Sequence, residues 1–468
     1  MMYMVAAMDA FRFVGCRAPV YRSTDDQVAL TLGKLRFHKP QPLKPSGYLR
    51  PANKVAPSCM QFTPHSPEPI TPQESTVSNR FSTTSSSLAF NTSSIASGAH
   101  SSASGPPSHA FPGSPEVNTT FSEDCLYLNI WTPFLGTRLR TPRPVLVFIH
   151  GGGFRMGSAS VDTYDGGVLS AYGDIVVVSF NYRLGAFGFL QLNSKIAGNM
   201  GLYDQIRALE WVQHNVEYFG GDPRQVTVMG QEAGAVSLGM LLLSPLCKGL
   251  LQQAILLSGF TENEGFMQAY KLFPGIFNFE RPVNLSLQDA EDILMDAVEL
   301  FPETAKDYMK DMYFGKLEAS SPAADIRNAL AKAFGDIFVT CPVRIFAESY
   351  GDRPMNAFLY QFTHRPLFST NPPSTGATSF DDVPYIFGEP LRYPERFPLD
   401  DISITKMMMN LITSFVKTGT PQPVRDFLVP KFESPELQYV ELGSSGVIER
   451  KYPSKQCDFW KKFYPKNS

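Results

Sequence analysis

The sequence predicts an α/β fold: a mostly parallel, doubly wound sheet with helices on both faces. Three observations carry this. Val145–Ile149, Ile175–Phe180 and Val226–Met229 are short apolar runs, as expected of strands buried on both faces. Segments with helical spacing of apolar residues alternate with such runs, the order of a parallel sheet with crossover helices. The third run leads into Gly230-Gln-Glu-Ala-Gly234 and then into a helical pattern from Ala235, which reads as strand, sharp turn and helix.

The chain has 468 residues, 43% of them hydrophobic, enough to bury a large core. A net charge of -3 gives nucleic acid or an anionic membrane no electrostatic footing as a partner. No apolar run is long enough to span a bilayer. Met1–Met8 is mildly apolar, but it lacks a basic start and Asp9 interrupts it, so it makes a poor signal peptide. Cysteines stand at 16, 59, 125, 247, 341 and 457, without the close pairs of a zinc site. No metal or cofactor is expected. Their wide spacing suits disulfides that close long loops. N-x-S/T triplets occur at Asn91, Asn118 and Asn284, but such triplets arise often by chance and support secretion only weakly.

In chain order, residues 1–28 have no clear period and stay unassigned. Leu32–Pro42 reads as a short extended piece within the N-terminal part of the folded domain, 29–62. Residues 63–120 are dominated by Ser, Thr, Pro, Asn and Gly. That composition cannot offset its ordering entropy, so a disordered surface insertion is expected. The main domain then occupies 121–464. Tyr127, Asn129 and Trp131 alternate with Leu126, Leu128 and Ile130, as in a strand. Pro144–His150 reads as a buried strand and runs into Gly151-Gly-Gly-Phe154. Residues 199–219 contain a helix, with Ile206, Leu209, Val212 and Val216 near helical spacing, stopped at Gly220-Gly-Asp-Pro223. Val236, Met240 and Leu243 share one side of the next helix. Gln253–Gly259 is a further strand. Ala290–Leu300, Glu303–Met312 and Ala323–Phe334 look helical, and Ala357–Phe362 looks extended. Thr405–Lys417 is an amphipathic helix ended by Gly419 and Pro421. No internal repeat is visible.

The frame of Gly230–Gly234 is that of a nucleophile elbow, G-x-S-x-G, with Glu232 where the serine would stand. Further motifs follow in order: Leu35-Arg-Phe37, Ser122-Glu-Asp-Cys-Leu-Tyr-Leu-Asn-Ile-Trp131, His150-Gly-Gly-Gly-Phe154, Asn181-Tyr-Arg-Leu-Gly-Ala-Phe-Gly-Phe-Leu190, Gly198-Asn-Met-Gly-Leu-Tyr-Asp-Gln205, Phe219-Gly-Gly-Asp-Pro223, Leu243-Ser-Pro-Leu246 and Phe387-Gly388. Together they resemble the type B carboxylesterase and cholinesterase family, of α/β-hydrolase fold, from about residue 29 to the C-terminus without the insertion. One such glycine frame is weak evidence, whereas the ordered set is specific.

The resemblance implies disulfides Cys59–Cys125 and Cys341–Cys457, with Cys16 and Cys247 free. It implies ion pairs Arg36–Glu123 and Arg183–Asp204. It places oxyanion-hole donors at the N–H groups of Gly152, Gly153 and Ala233; that the glycines only permit a tight turn is a reading that can hold beside it. The family's acid falls at Glu264 in Thr261-Glu-Asn-Glu-Gly-Phe266, where a plain solvated loop charge stays open as the alternative. The histidine position, counted back from Gly388, holds Ser379. None of the seven histidines lies beyond 364; His364 ends a strand, and His150 belongs to the glycine loop. The family also carries a long segment between the strand after the elbow helix and the acid loop. Here Gly259 meets that loop almost at once, so one strand-helix segment is missing and 254–260 serves where two strands normally would. The stretch expected to carry a choline platform, Pro115–Phe121, has no Trp, which leaves cholinesterase specificity unsupported.

Ester hydrolysis on this fold needs a nucleophile, a base, an orienting acid and oxyanion donors. Glu232 and Ser379 remove the first two. One expectation is a non-catalytic family member, similar to neuroligin- or glutactin-like proteins, that binds an extracellular protein partner and passes through the secretory pathway. The alternative is a carboxylic-ester hydrolase, acting on an ester substrate, whose sequence here is imperfect or incomplete. The Glu232 carboxylate is expected to fold into the oxyanion hole; simple decay of an unused site competes with that.

Overall fold

In the computed structural model the described residues are 2–3, 16–19, 37–40, 57–61, 120–133, 141–193, 196–257, 261, 264–277, 284–299, 301, 303–351, 356–367, 369, 375–424, 426–444, 446–452 and 454–463. Residues 63–119 of the predicted insertion, Arg36, and most of 29–62 lie outside them.

The main sheet uses β1 (Met2–Tyr3), β2 (Cys16–Pro19), β3 (Leu128–Trp131), β4 (Arg143–Ile149), β5 (Val176–Phe180), β6 (Gly221–Gln231) and β7 (Gln253–Leu257), in the order β1-β2-β3-β5-β4-β6-β7. β5, β4, β6 and β7 run parallel, while β3 is antiparallel to both neighbours. Two of these strands, β1 and β2, lie in the segment that showed no sequence period. β4 and β5 are rich in β-branched residues, and Val145–Ile149 and Val176–Phe180 are fully buried. Helices cover both faces, so the parallel strands need no polar alternation. The alternation around Trp131 has no inside–outside meaning, because all of β3 is buried.

A second sheet holds β8 (Tyr360–Phe362), β9 (Gln438–Gly443) and β10 (Gly446–Lys451). An isolated parallel bridge from Thr261 to Phe362 links the end of β7 to β8. The run expected to replace two strands therefore pairs with β6 through 253–257 and then reaches β8 at residue 261; residues 258–260 lie outside the described set.

The helices include α1 (Gly167–Gly173), α2 (Met200–Asn215), α3 (Ala233–Leu243), α4 (Glu264–Leu272), α5 (Leu287–Ala297), α6 (Glu303–Phe314), α7 (Ala323–Gly335), α8 (Cys341–Gly351), α9 (Val383–Phe387), α10 (Leu399–Thr418) and α11 (Ser454–Trp460), beside short ones at Gly185–Phe189 and Glu389–Arg392. Ile206, Leu209 and Val212 bury the inner face of α2. α3 is apolar on both sides. It buries Ala235, Leu238 and Leu241, and exposes Val236 at 47% and Leu243 at 76%. The shared side noted in the sequence is thus the outer one. α8 was not foreseen; a π-helical turn at Asp336–Thr340 joins it to α7.

Two disulfides brace this frame: Cys59–Cys125, and Cys341–Cys457, which pins α11 to α8. Cys247 is free and buried. Arg183 and Asp204 form a buried two-pronged pair at 2.7 Å per contact. No helix among the described residues is long and apolar enough to cross a membrane.

Candidate functional site

The carboxyl ends of β4, β6 and β7 lie side by side and carry the site residues. β4 ends at Ile149 and continues into the glycine loop, and β6 ends at Gln231. Glu232 then turns the chain into α3 with φ 51° and ψ -112°. This is a sparsely populated conformation for a residue with a side chain, and such strain persists only where surrounding contacts hold it. Two contacts do so here. The Glu232 N–H donates to the Leu257 carbonyl at the end of β7, 2.8 Å away. The turn also packs tightly: a Cβ on Gly234 would meet the Ile149 carbonyl oxygen at 2.1 Å.

The Glu232 side chain folds back over the start of α3. Its Oε2 accepts the N–H groups of Gly152 at 2.7 Å, Gly153 at 2.9 Å and Ala233 at 3.0 Å. Three donors converge on one carboxylate oxygen at a helix N-terminus, where the helix dipole favours negative charge. Gly152 has φ +116°, and a Cβ there would strike the Met156 carbonyl oxygen at 2.0 Å, so the loop geometry that aims these donors requires glycine. Gln231 braces the arrangement from below: its Oε1 accepts the Gly151 N–H at 3.1 Å and the Tyr164 hydroxyl at 3.3 Å.

His150, at the base of the loop, is buried and stacks on Tyr182 with ring centres 4.5 Å apart. Burial lowers its pKa to about 4, against opposing effects of the Gly151 carbonyl and Glu232, so the ring is neutral at pH 7. Its Nδ1 lies 2.8 Å from the Gly151 carbonyl oxygen. That is a structural placement.

The second group of site residues follows β7. Glu264 opens α4 and is buried. Its Oε1 accepts the Thr261 N–H at 2.8 Å and the Thr261 hydroxyl, and its Oε2 accepts the Ser379 hydroxyl. Glu264 is therefore no solvated loop charge. Two acids missed in the sequence lie beside it. Asp381 accepts the Thr378 N–H at 2.7 Å, and Asp382 accepts the Tyr360 hydroxyl at 3.1 Å. Burial, with the nearby Glu264 charge adding to it, raises Asp381 to about 6 and Asp382 to about 7. Their position after Ser379 was the one available signal, but adjacent acids usually mark a solvated turn, and only packing shows them buried.

His364 is drawn elsewhere: its Nε2 lies 2.6 Å from Oδ1 of Asp401, in the first turn of α10. Among the described residues no cluster of His, Cys, Asp or Glu could hold a metal ion. Arg36 lies outside the described residues, so the pair expected with Glu123 does too.

The model of the carboxylesterase family matches residues 29–274 and 259–460. The chain belongs to the carboxylesterase family. Its relatives in that family include acetylcholinesterase-1 of Trittame loki, 31% identical, with 74% of this chain and 81% of the relative covered. The acetylcholinesterase of Bungarus fasciatus is 28% identical over 93% of this chain and 81% of its own length. That of Leptinotarsa decemlineata is 29% identical, with 75% and 73% covered. The two family matches overlap: residues 259–274, which include Glu264, match the carboxylesterase model twice.

Proposed function

We propose that this carboxylesterase-family chain is non-catalytic and presents the hydrolase scaffold as a binding surface for an extracellular protein partner. One observation carries the reading: the Glu232 carboxylate takes the three N–H groups that, in an ester hydrolase of this fold, would stabilise the developing oxyanion. A fixed negative charge there opposes a second one. Ser379, bonded to Glu264, offers a hydroxyl where a base would be needed. The two disulfides support passage through an oxidising compartment.

The second reading, a carboxylic-ester hydrolase with an incomplete sequence, draws support from the overlapping matches at 259–274, as expected if a strand-helix segment is absent between them. Purified protein offered a chromogenic short-chain ester and a serine-reactive fluorophosphonate probe separates the two. The expected outcome is no turnover above background and no probe adduct. Turnover that the probe abolishes would establish the second reading.

A further inference from the structure

Of the three N-x-S/T triplets, Asn284-Leu-Ser286 lies in the described part of the fold, and the structure orients it. Asn284 is exposed, Leu285 is buried in the helical core, and Ser286 is exposed again. The buried leucine anchors the segment between two exposed neighbours, and Ser286 is extended, with φ -77° and ψ 159°. Ser286 caps α5: its hydroxyl accepts the Asp289 N–H at 3.1 Å and donates to Asp289 Oδ2 at 2.6 Å. Among the described residues the Asn284 amide has no hydrogen-bond partner, so nothing in the fold has to be broken for a bulky group to sit there.

We infer that Asn284 is an N-glycosylation site, carrying an oligosaccharide that projects from the start of α5. The donor class is a lipid-pyrophosphate-linked oligosaccharide. The Asn284 amide nitrogen bonds to the anomeric carbon and gives up one proton. The bond from that carbon to the pyrophosphate oxygen breaks, and lipid pyrophosphate leaves. The site rests on the secretory reading, which the two disulfides support independently.

The test is the full chain produced in a secreting eukaryotic cell, digested with and without peptide N-glycosidase, and sequenced by mass spectrometry. Enzyme-dependent conversion of Asn284 to Asp is expected, together with loss of one glycan from the intact mass in Asn284→Gln. That variant leaves the Ser286–Asp289 cap untouched, so it separates sugar from helix stability. Reading the peptide that carries residue 284 keeps Asn91 and Asn118 out of the result. Unmodified Asn284 in secreted protein with both disulfides formed overturns the site alone. Unmodified Asn284 with reduced cysteines overturns the secretory reading and the site with it.

Discussion

Oε2 of Glu232 accepts the Gly152 N–H at 2.7 Å, joining the turn after β6 to the loop after β4 across 80 residues of sequence. With Gly153 and Ala233 it forms a clasp that holds both strand ends in place. Truncation should therefore weaken the fold. Charge-assisted hydrogen bonds and caps of this kind contribute about 1–2 kcal/mol net in a half-buried setting. Glu232→Ala is expected to lower the unfolding free energy by about that much in urea titrations. Glu232→Gly should lose less, because glycine relieves the positive φ at this position. Equal midpoints for wild type and both variants would show that the clasp contributes nothing.

If Glu232 and Ser379 are what silence ester chemistry, replacing both should expose it. Glu232→Ser alone supplies a hydroxyl and frees the three donors but has no base. Glu232→Ser with Ser379→His places an imidazole where the Ser379 hydroxyl now meets Glu264. The double variant should exceed the single one by about 10²–10⁴-fold toward a chromogenic ester, the usual share of a positioned base. No difference between them would mean that the glycine loop or the acid no longer serves hydrolysis.

Asp381 and Asp382 make stability depend on pH. Their folded-state values, about 6 and about 7, lie above the ordinary 3.8, so the folded chain holds protons that the unfolded chain releases. The resulting stabilisation is complete below about pH 4 and is lost as pH rises through about 6 to 7. Asp382→Asn keeps an acceptor for Tyr360 and cannot ionise. Relative to wild type it should gain on the order of 1–3 kcal/mol between about pH 5 and pH 8. Parallel stability curves for the two proteins across that range would refute this.

The Arg183–Asp204 pair is buried, with side-chain exposures of 4% and 0%, and Asp204 also accepts the Arg183 N–H at 3.0 Å. Asp204→Ala strands a buried guanidinium and a backbone donor together. A loss of about 3–5 kcal/mol is expected, read as a lower denaturation midpoint or as insoluble protein. A loss below about 1 kcal/mol would mean that water reaches the site.

What the sequence alone determined is the carboxylesterase-family fold and the identity of the residues at its marked positions. Apolar β-branched runs such as Val145–Ile149 and glycines such as Gly152 and Gly234 leave few alternatives, because burial and close backbone approach act locally. Glu232 at the turn, and Ser379 counted back from Gly388, are legible from spacing for the same reason. The strands of the first nineteen residues, α8, and the outward direction of Val236 and Leu243 were not, since pairing partners and the covered side of a uniformly apolar helix depend on distant chain. The fold of the Glu232 carboxylate onto donors 79 and 80 residues away was an expectation drawn from the resemblance, which names those donors. Tertiary structure alone decided that Ser379 meets Glu264 across 115 residues and that His364 turns to Asp401 across 37. A side chain chooses among its rotamers by the partners that packing brings within about 3 Å, and no local spacing records which those are.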